Sequence, residues 1–112
     1  MVSEDQVAEL ARLFPGAQAA QEGGITYVLL PGLELPPNCK PCRVDALLCP
    51  SPRDGYESRL YFAEPITGGR GQNLHVNGVR ILERNWHAFS WKTRQGLRLV
   101  QMLRAHLEGL KV

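Results

Sequence analysis

With 112 residues, the chain can bury one hydrophobic core without disulfides and is too short for a second. A formal net charge of +2 excludes the strong overall field that drives nonspecific binding to nucleic acid or membranes. No apolar run approaches the roughly 20 residues of a membrane helix, and the acidic start MVSEDQ lacks the pattern of a secretory signal. We therefore expect a single domain over 1–112, located in the cytoplasm, with no nucleic-acid or membrane partner.

The N-terminal segment has the pattern of a short amphipathic helix. Ser3 and Gln6 have the spacing of a capping box, in which each side chain satisfies an unpaired amide of the first turn. Pro15-Gly16 ends the helical pattern. Between these signals, apolar residues recur at helical spacing: Val7, Leu10, Ala11 and Phe14.

The middle of the chain predicts strands. Residues 25–30, 43–49 and 59–63 are rich in β-branched, aromatic or alternating apolar residues and are bounded by glycine and proline turns. Residues 79–82 form a shorter extended candidate. The glycine-rich run 67–73 predicts a loop.

The C-terminal segment predicts a long amphipathic helix from about Thr93. Its apolar residues follow steps of three and four: Leu97, Val100, Leu103, Leu107 and Leu110. The resulting order is a helix, a run of strands, an irregular segment and a helix. Such segregation favours the α+β class, with an antiparallel meander of three to four strands backed by helices.

The cysteines offer a weak metal or redox signal. Cys39 and Cys42 form a CxxC in a proline-rich loop, which is half of a zinc site or a redox pair, and the chain has no second CxxC. Cys49, at a strand end, has the character of a small buried hydrophobe. We therefore expect no metal and no cofactor.

Basic residues line the last predicted helix. Lys92, Arg94, Arg98 and Arg104 form a stripe that either is a solvated face or meets phosphates or an acidic partner.

Three strings, in this order, resemble the ubiquitin-conjugating-enzyme (UBC) superfamily, specifically its prokaryotic family E. They are YVLLPGLELPPN at 27–38, DALLCPSPRDGYESRLYFAEP at 45–65 and NWHAFSW at 85–91. The resemblance implies a UBC-like fold with an irregular segment like an active site before a long C-terminal helix. It also implies a bacterial conjugation pathway, of the kind associated with antiphage defence, with a ubiquitin-like protein and an activating enzyme as partners.

The stretch HVNGVRILERNW, at 75–86, occupies the place of the family's active site. His75 and Asn77 resemble the His-Pro-Asn string whose asparagine stabilises charge on the carbonyl during transfer, and Trp86 resembles the tryptophan that follows. The stretch holds no cysteine. The alternative is an ordinary Asn-Gly turn between two strands.

Without a thiol, a transfer enzyme needs another nucleophile. Ser90 is the first candidate, with His87 three residues earlier as its base. The alternative role for Ser90, or for Thr93, is the N-cap of the last helix. Two functions follow: a carrier that holds a ubiquitin-like protein as an oxyester, assisted by His87, His75 or Asn77, or a non-catalytic adaptor that binds the ubiquitin-like protein or its activating enzyme.

Overall fold

The fold is a six-stranded antiparallel sheet with two short helices. The computed structural model describes residues 4–52, 56–68, 74–89 and 92–111, and only the backbone of 74–77. The strand order is β1-β2-β3-β4-β6-β5, and no helix in the described ranges is long and apolar enough to cross a membrane. The elements are α1 (Glu4–Leu13), β1 (Gln18–Glu22), β2 (Ile25–Glu34), β3 (Arg43–Cys49), β4 (Arg59–Phe62), β5 (Leu74–Ile81), β6 (Arg84–Phe89) and α2 (Leu99–Glu108).

The sheet curls, so that its first strand meets the hairpin at its far side. The carboxylate of Glu22, at the end of β1, accepts a hydrogen bond from the backbone amide of Leu82, between β5 and β6, at 3.1 Å. The indole of Trp86 donates to the carbonyl of Ile81 at 2.8 Å. One face of the sheet buries a core to which neither described helix contributes a residue: Tyr27, Leu47, Cys49, Tyr61, Ile81, Trp86 and Ala88.

The two helices cover the opposite face of the sheet. Leu10 of α1 and Leu103 of α2 are fully buried there, against apolar residues of β2, β3 and β4. The helices also contact each other: the Gln6 side chain accepts the backbone amide of Leu99 at 3.1 Å. The larger of the two cores lies between this helix layer and the sheet.

The predicted UBC-like fold is wrong, whereas helix α1 and the strand over 43–49 are confirmed. The C-terminal helix has 10 residues and begins at Leu99 instead of near Thr93. A turn at 95–96, in which Gly96 has a φ of 78°, interrupts the pattern before it. Glycine adopts this left-handed conformation without steric cost. The helix therefore cannot extend back through Gly96, although the helical spacing of apolar residues includes Leu97 before Leu99.

The predicted irregular segment is a β-hairpin. Strands β5 and β6 pair along most of their length, and the turn is formed by Leu82 and Glu83, whose φ values are 51° and 64°. The Asn77-Gly78 pair is not this turn, because it lies within strand β5. The strand register shifts between Asn77 and Val79, which marks a bulge at Gly78. Strand β1 was not predicted, since its residues QAAQE are mostly polar and small.

Candidate active site

Two hydroxyl groups and an imidazole form a short chain between the sheet and the C-terminal helix. Ser58 Oγ lies 2.9 Å from His106 Nε2 and 2.6 Å from Thr93 Oγ1. Ser58 is fully buried and His106 is 7% exposed, whereas Thr93 is half-buried. The hydrogen-bonded chain therefore runs from the buried interior to Thr93, which is only half-buried.

Strand alternation and helix periodicity place these groups. Ser58 directly precedes β4, where Leu60 and Phe62 face the helix layer, so the two-residue period places Ser58 on that same face. His106 lies on the buried face of α2, three residues after Leu103. The strand period thus places Ser58, and the helix period places His106, on the faces that meet at their hydrogen bond.

Burial sets the charge state of His106. Desolvation by the surrounding protein, and secondarily the nearby Arg59 guanidinium, lower the pKa of His106 from 6.5 to about 4. The ring is therefore neutral at pH 7, and when its Nε2 carries no proton it accepts from Ser58. The Ser58 oxygen can then accept from Thr93.

The segment that carries Thr93 is attached to the segment before β4 at a second point. The Gln95 side chain donates to the Glu57 carboxylate at 3.2 Å, next to the contact between Thr93 and Ser58. Nearby, the Arg59 guanidinium stacks over the Tyr56 ring at 4.2 Å and donates to the Phe89 carbonyl at 3.1 Å. The contacts of Thr93 and Gln95 hold the segment before α2 against the segment before β4.

Thr93 lines a cleft of about 520 Å³. One wall comes from residues just before α2 and the other from the outer face of α2 itself. Its apolar surface includes Leu97 and Ala105, and its cations are Lys92, Arg94 and Arg104. A residue whose hydroxyl has a hydrogen-bonded path to a neutral imidazole thus lines a space large enough for a small ligand.

Another cleft, of about 360 Å³, lies between the end of α1 and β2 and offers less chemistry. Leu13, Phe14 and Leu33 line it. The charged residues in its wall, Glu34 and Arg43, form an ion pair with each other at 2.7 Å. The Thr93 cleft is therefore the better candidate for a reaction site.

The hydrogen-bonded chain of Thr93, Ser58 and His106 suits acyl transfer to a hydroxyl. A serine or threonine is a weak nucleophile until a base within hydrogen-bond reach takes its proton. His106 is a weak base, with a pKa of about 4. The Thr93 hydroxyl therefore requires an acyl donor whose carbonyl is already activated, such as a thioester.

The predicted site residues are only partly placed. Ser90 lies outside the described residues, and its role stays a prediction. His75 and Asn77 lie on β5, where only their backbone is described, and Asn77 pairs in register with His87 of β6. Because His87 alternates with Trp86 and Ala88, it lies on the helix-facing side of the sheet, where it is half-buried.

The cysteines lie apart from this site. Cys39 and Cys49 are buried and Cys42 is exposed, and none of the three is in a disulfide. Burial, and secondarily the neighbouring Cys42, raise the pKa of the Cys39 thiol, so its nucleophilic thiolate is disfavoured. Within the described ranges, no three His, Cys, Asp or Glu residues come together as a metal site.

The sequence interpretation missed Ser58 and His106, although one signal pointed to the histidine. A stripe counted from Leu99 through Leu103 reaches His106 and places it on the buried face of the helix. Thr93 was considered only as a helix cap. Its hydroxyl contacts Ser58 instead, and the helix begins at Leu99.

The chain matches no protein-family model, and no curated protein or solved structure is significantly similar to it. The resemblance to the UBC superfamily therefore rests on the three sequence strings.

Proposed function

We propose that this chain carries the C-terminal acyl group of a ubiquitin-like protein as an oxyester on Thr93. The observation that supports this chemistry is the hydrogen-bonded chain from Thr93, a residue that lines an open cleft, through Ser58 to the neutral His106. The class of donor is inferred from the strings at 27–38, 45–65 and 85–91. A cytoplasmic bacterial conjugation pathway, with an activating enzyme as partner, is part of the same proposal.

The proposed reaction transfers an acyl group from a thioester on the activating enzyme. Thr93 Oγ1 attacks the thioester carbonyl, its proton moves to Ser58, and the Ser58 proton moves to His106 Nε2. The new carbon–oxygen bond forms as the carbon–sulfur bond breaks. The imidazolium is unfavourable in this buried site, so it returns its proton to the leaving thiolate, and the products are the oxyester on Thr93 and the free thiol.

The adaptor remains the second candidate, and the positive charge beside Thr93 favours it. Within the part of the chain that the structure describes, Lys92, Arg94 and Arg104 take part in none of the ion pairs. Such residues can hold a partner without any covalent step.

The deciding experiment is a search for the covalent adduct. The chain is incubated with ATP and with the activating enzyme and ubiquitin-like protein of the same operon, and the products are measured by mass spectrometry. We expect a species that survives dithiothreitol and is cleaved by alkaline hydroxylamine. Absence of such a species with active partners would reject the carrier and leave the adaptor.

Matched variants identify the nucleophile. Thr93→Val removes the hydroxyl at nearly constant shape and is expected to abolish the adduct, while Thr93→Ser retains it. Ser58→Ala breaks the proton path and is expected to slow formation on the order of 10²-fold. If Ser90→Ala abolishes the adduct and Thr93→Val does not, Ser90 is the nucleophile and our assignment is wrong. Circular dichroism confirms that each variant folds.

A further inference from the structure

We infer that the cleft beside Thr93 binds an acidic, extended peptide tail at the C-terminus of a partner protein. The inference names the substrate class of the proposed carrier, although the binding itself requires no covalent step. It follows from the charge, the shape and the position of the cleft.

The charge of the cleft is positive and not neutralised by the described residues. Lys92, Arg94 and Arg104 line it, and none of them takes part in an ion pair of the described ranges. The acidic residue of the wall, Glu108, is paired with Lys111 at 2.8 Å. The neighbouring Arg98, by contrast, is paired with a glutamate of α1 at 3.0 Å. Positive charge therefore remains in the cleft that Thr93 lines.

The surface between the cations suits a peptide main chain. Leu97 and Ala105 contribute apolar contact, and Gln101 adds an amide that can both donate to and accept from a backbone. On α2, the lining residues recur at steps of three and four, so they form one continuous face along the helix. A volume of about 520 Å³ is typical of pockets for small ligands and short segments.

The cations select acidic side chains. Arginine guanidinium groups bind carboxylates in bidentate geometry, and both Arg94 and Arg104 are exposed. Because Thr93 lies in the wall, the end of the tail that carries the reacting carboxyl group is the end that reaches it. The occupant is thus a C-terminus preceded by glutamates or aspartates.

Nucleic acid fits this surface less well. Among the described residues, the Tyr56 ring lies near a cation of the cleft, with Lys92 at 6.0 Å, but Arg59 stacks over it at 4.2 Å, so this ring is already occupied and does not provide a platform for bases. The whole chain has a net charge of only +2, which gives little of the overall electrostatic attraction that nonspecific nucleic-acid binding needs.

The test measures binding by fluorescence anisotropy to the full chain. The probe is a labelled eight-residue peptide with three glutamates followed by Gly-Gly and a free C-terminal carboxylate. We expect saturable binding that weakens with salt, and at least tenfold weaker binding of the same peptide with glutamines. Arg104→Gln and Arg94→Gln are each expected to weaken binding about fivefold, on the scale of a single charged contact. Arg80→Gln, an equal charge change on β5, is the matched control and is expected to have no effect.

Three results would overturn the inference: equal binding of the glutamate and glutamine peptides, equal weakening by Arg80→Gln and Arg104→Gln, or tighter binding of an eight-nucleotide single strand than of the acidic peptide. The free peptide has no activated carbonyl, so its binding is independent of oxyester formation. Peptide binding without an adduct therefore rejects the carrier alone, and an adduct without selective peptide binding rejects the acidic-tail inference alone.

Discussion

The side chain of Gln6, on the first helix, accepts the backbone amide of Leu99, the first residue of the last helix, at 3.1 Å. The first amides of a helix have no partner within it, so α1 supplies a cap for α2. Together with the ion pair between Arg98 and Glu9 at 3.0 Å, this contact holds the beginning of α2, and hence the wall of the Thr93 cleft, against α1.

Replacing Gln6 tests this cap. We expect Gln6→Ala to lower the free energy of unfolding by about 1 kcal/mol, the usual loss when a capping acceptor is removed. Gln6→Glu keeps an acceptor and places negative charge at the helix N-terminus, so its stability is expected to equal that of the wild type or exceed it. Urea denaturation followed by circular dichroism measures both. Equal losses for Ala and Glu would contradict the cap.

The buried His106 predicts a specific dependence of stability on pH. Its pKa is lowered from 6.5 to about 4 on folding, so between these values the unfolded chain binds a proton that the folded chain does not. The free energy of unfolding is therefore unaffected by the titration of His106 above pH 6.5. It decreases as the pH falls below 6.5, by up to about 3 kcal/mol near pH 4.

The His106→Gln variant isolates this contribution. It keeps a polar side chain beside Ser58 but has no titrating group. Urea unfolding of both proteins at pH 7.5, 6 and 5 should show the wild type losing more stability than the variant. Parallel pH curves for the two proteins would mean that His106 titrates normally.

Gly68 lies where no larger residue fits. A Cβ there would collide with the backbone carbonyl of Asn38, whose side chain in turn donates to the carbonyls of Gly68 at 2.7 Å and Leu110 at 2.8 Å. Gly68 has a φ of 80°, and Gly24, with a φ of 78° and no atom near its Cβ position, is a matched control.

We expect Gly24→Ala to cost about 1–2 kcal/mol, the strain of the left-handed conformation alone. Gly68→Ala should cost at least about 1–2 kcal/mol more, because the backbone must also move. Thermal and urea unfolding compare the two variants. A loss at Gly68 no larger than at Gly24 would show that Asn38 moves aside freely.

The turn at Leu82 and Glu83 offers a stabilising change. Both residues have positive φ, the conformation of a type I′ turn, which favours glycine and asparagine. Glu83→Gly should raise the free energy of unfolding by about 0.5–1 kcal/mol, since relief of strain exceeds the extra entropy of glycine in the unfolded chain. Glu64→Gly, at an exposed site that is not among the residues with positive φ, is expected to lower it. Urea denaturation decides, and a destabilised Glu83→Gly would contradict the strain.

Local periodicity explains which elements were predictable. The stripe of α1 and the alternation of β3 are complete within their own residues, so both could be predicted from the sequence. The apolar spacing before Leu99 resembled a helix as well, but Gly96 turns the chain there. Strands β1 and β6 owe their conformation to pairing with β2 and with β4 and β5, which local patterns do not contain.

The candidate site likewise depends on contacts between residues that are distant in the sequence. Gln6 has the sequence spacing of a local capping box, yet its oxygen binds Leu99 of the other helix. The serine and histidine of the hydroxyl chain are 48 positions apart, and Ser58 and Thr93 are 35 apart. No motif spacing links residues so distant, and the prediction accordingly concentrated on Ser90 and His87 within one short string.

The amino-acid order by itself determined the α+β class, because burial on one face imposes a period of two on strands and near 3.6 on helices. Only the tertiary structure decided which surfaces meet: the curl that brings Glu22 to Leu82, 60 positions away, and the packing of α2 that brings His106 to Ser58. The physical reason is that periodicity states which side of an element is apolar, whereas the partner of that side depends on the arrangement of the whole chain.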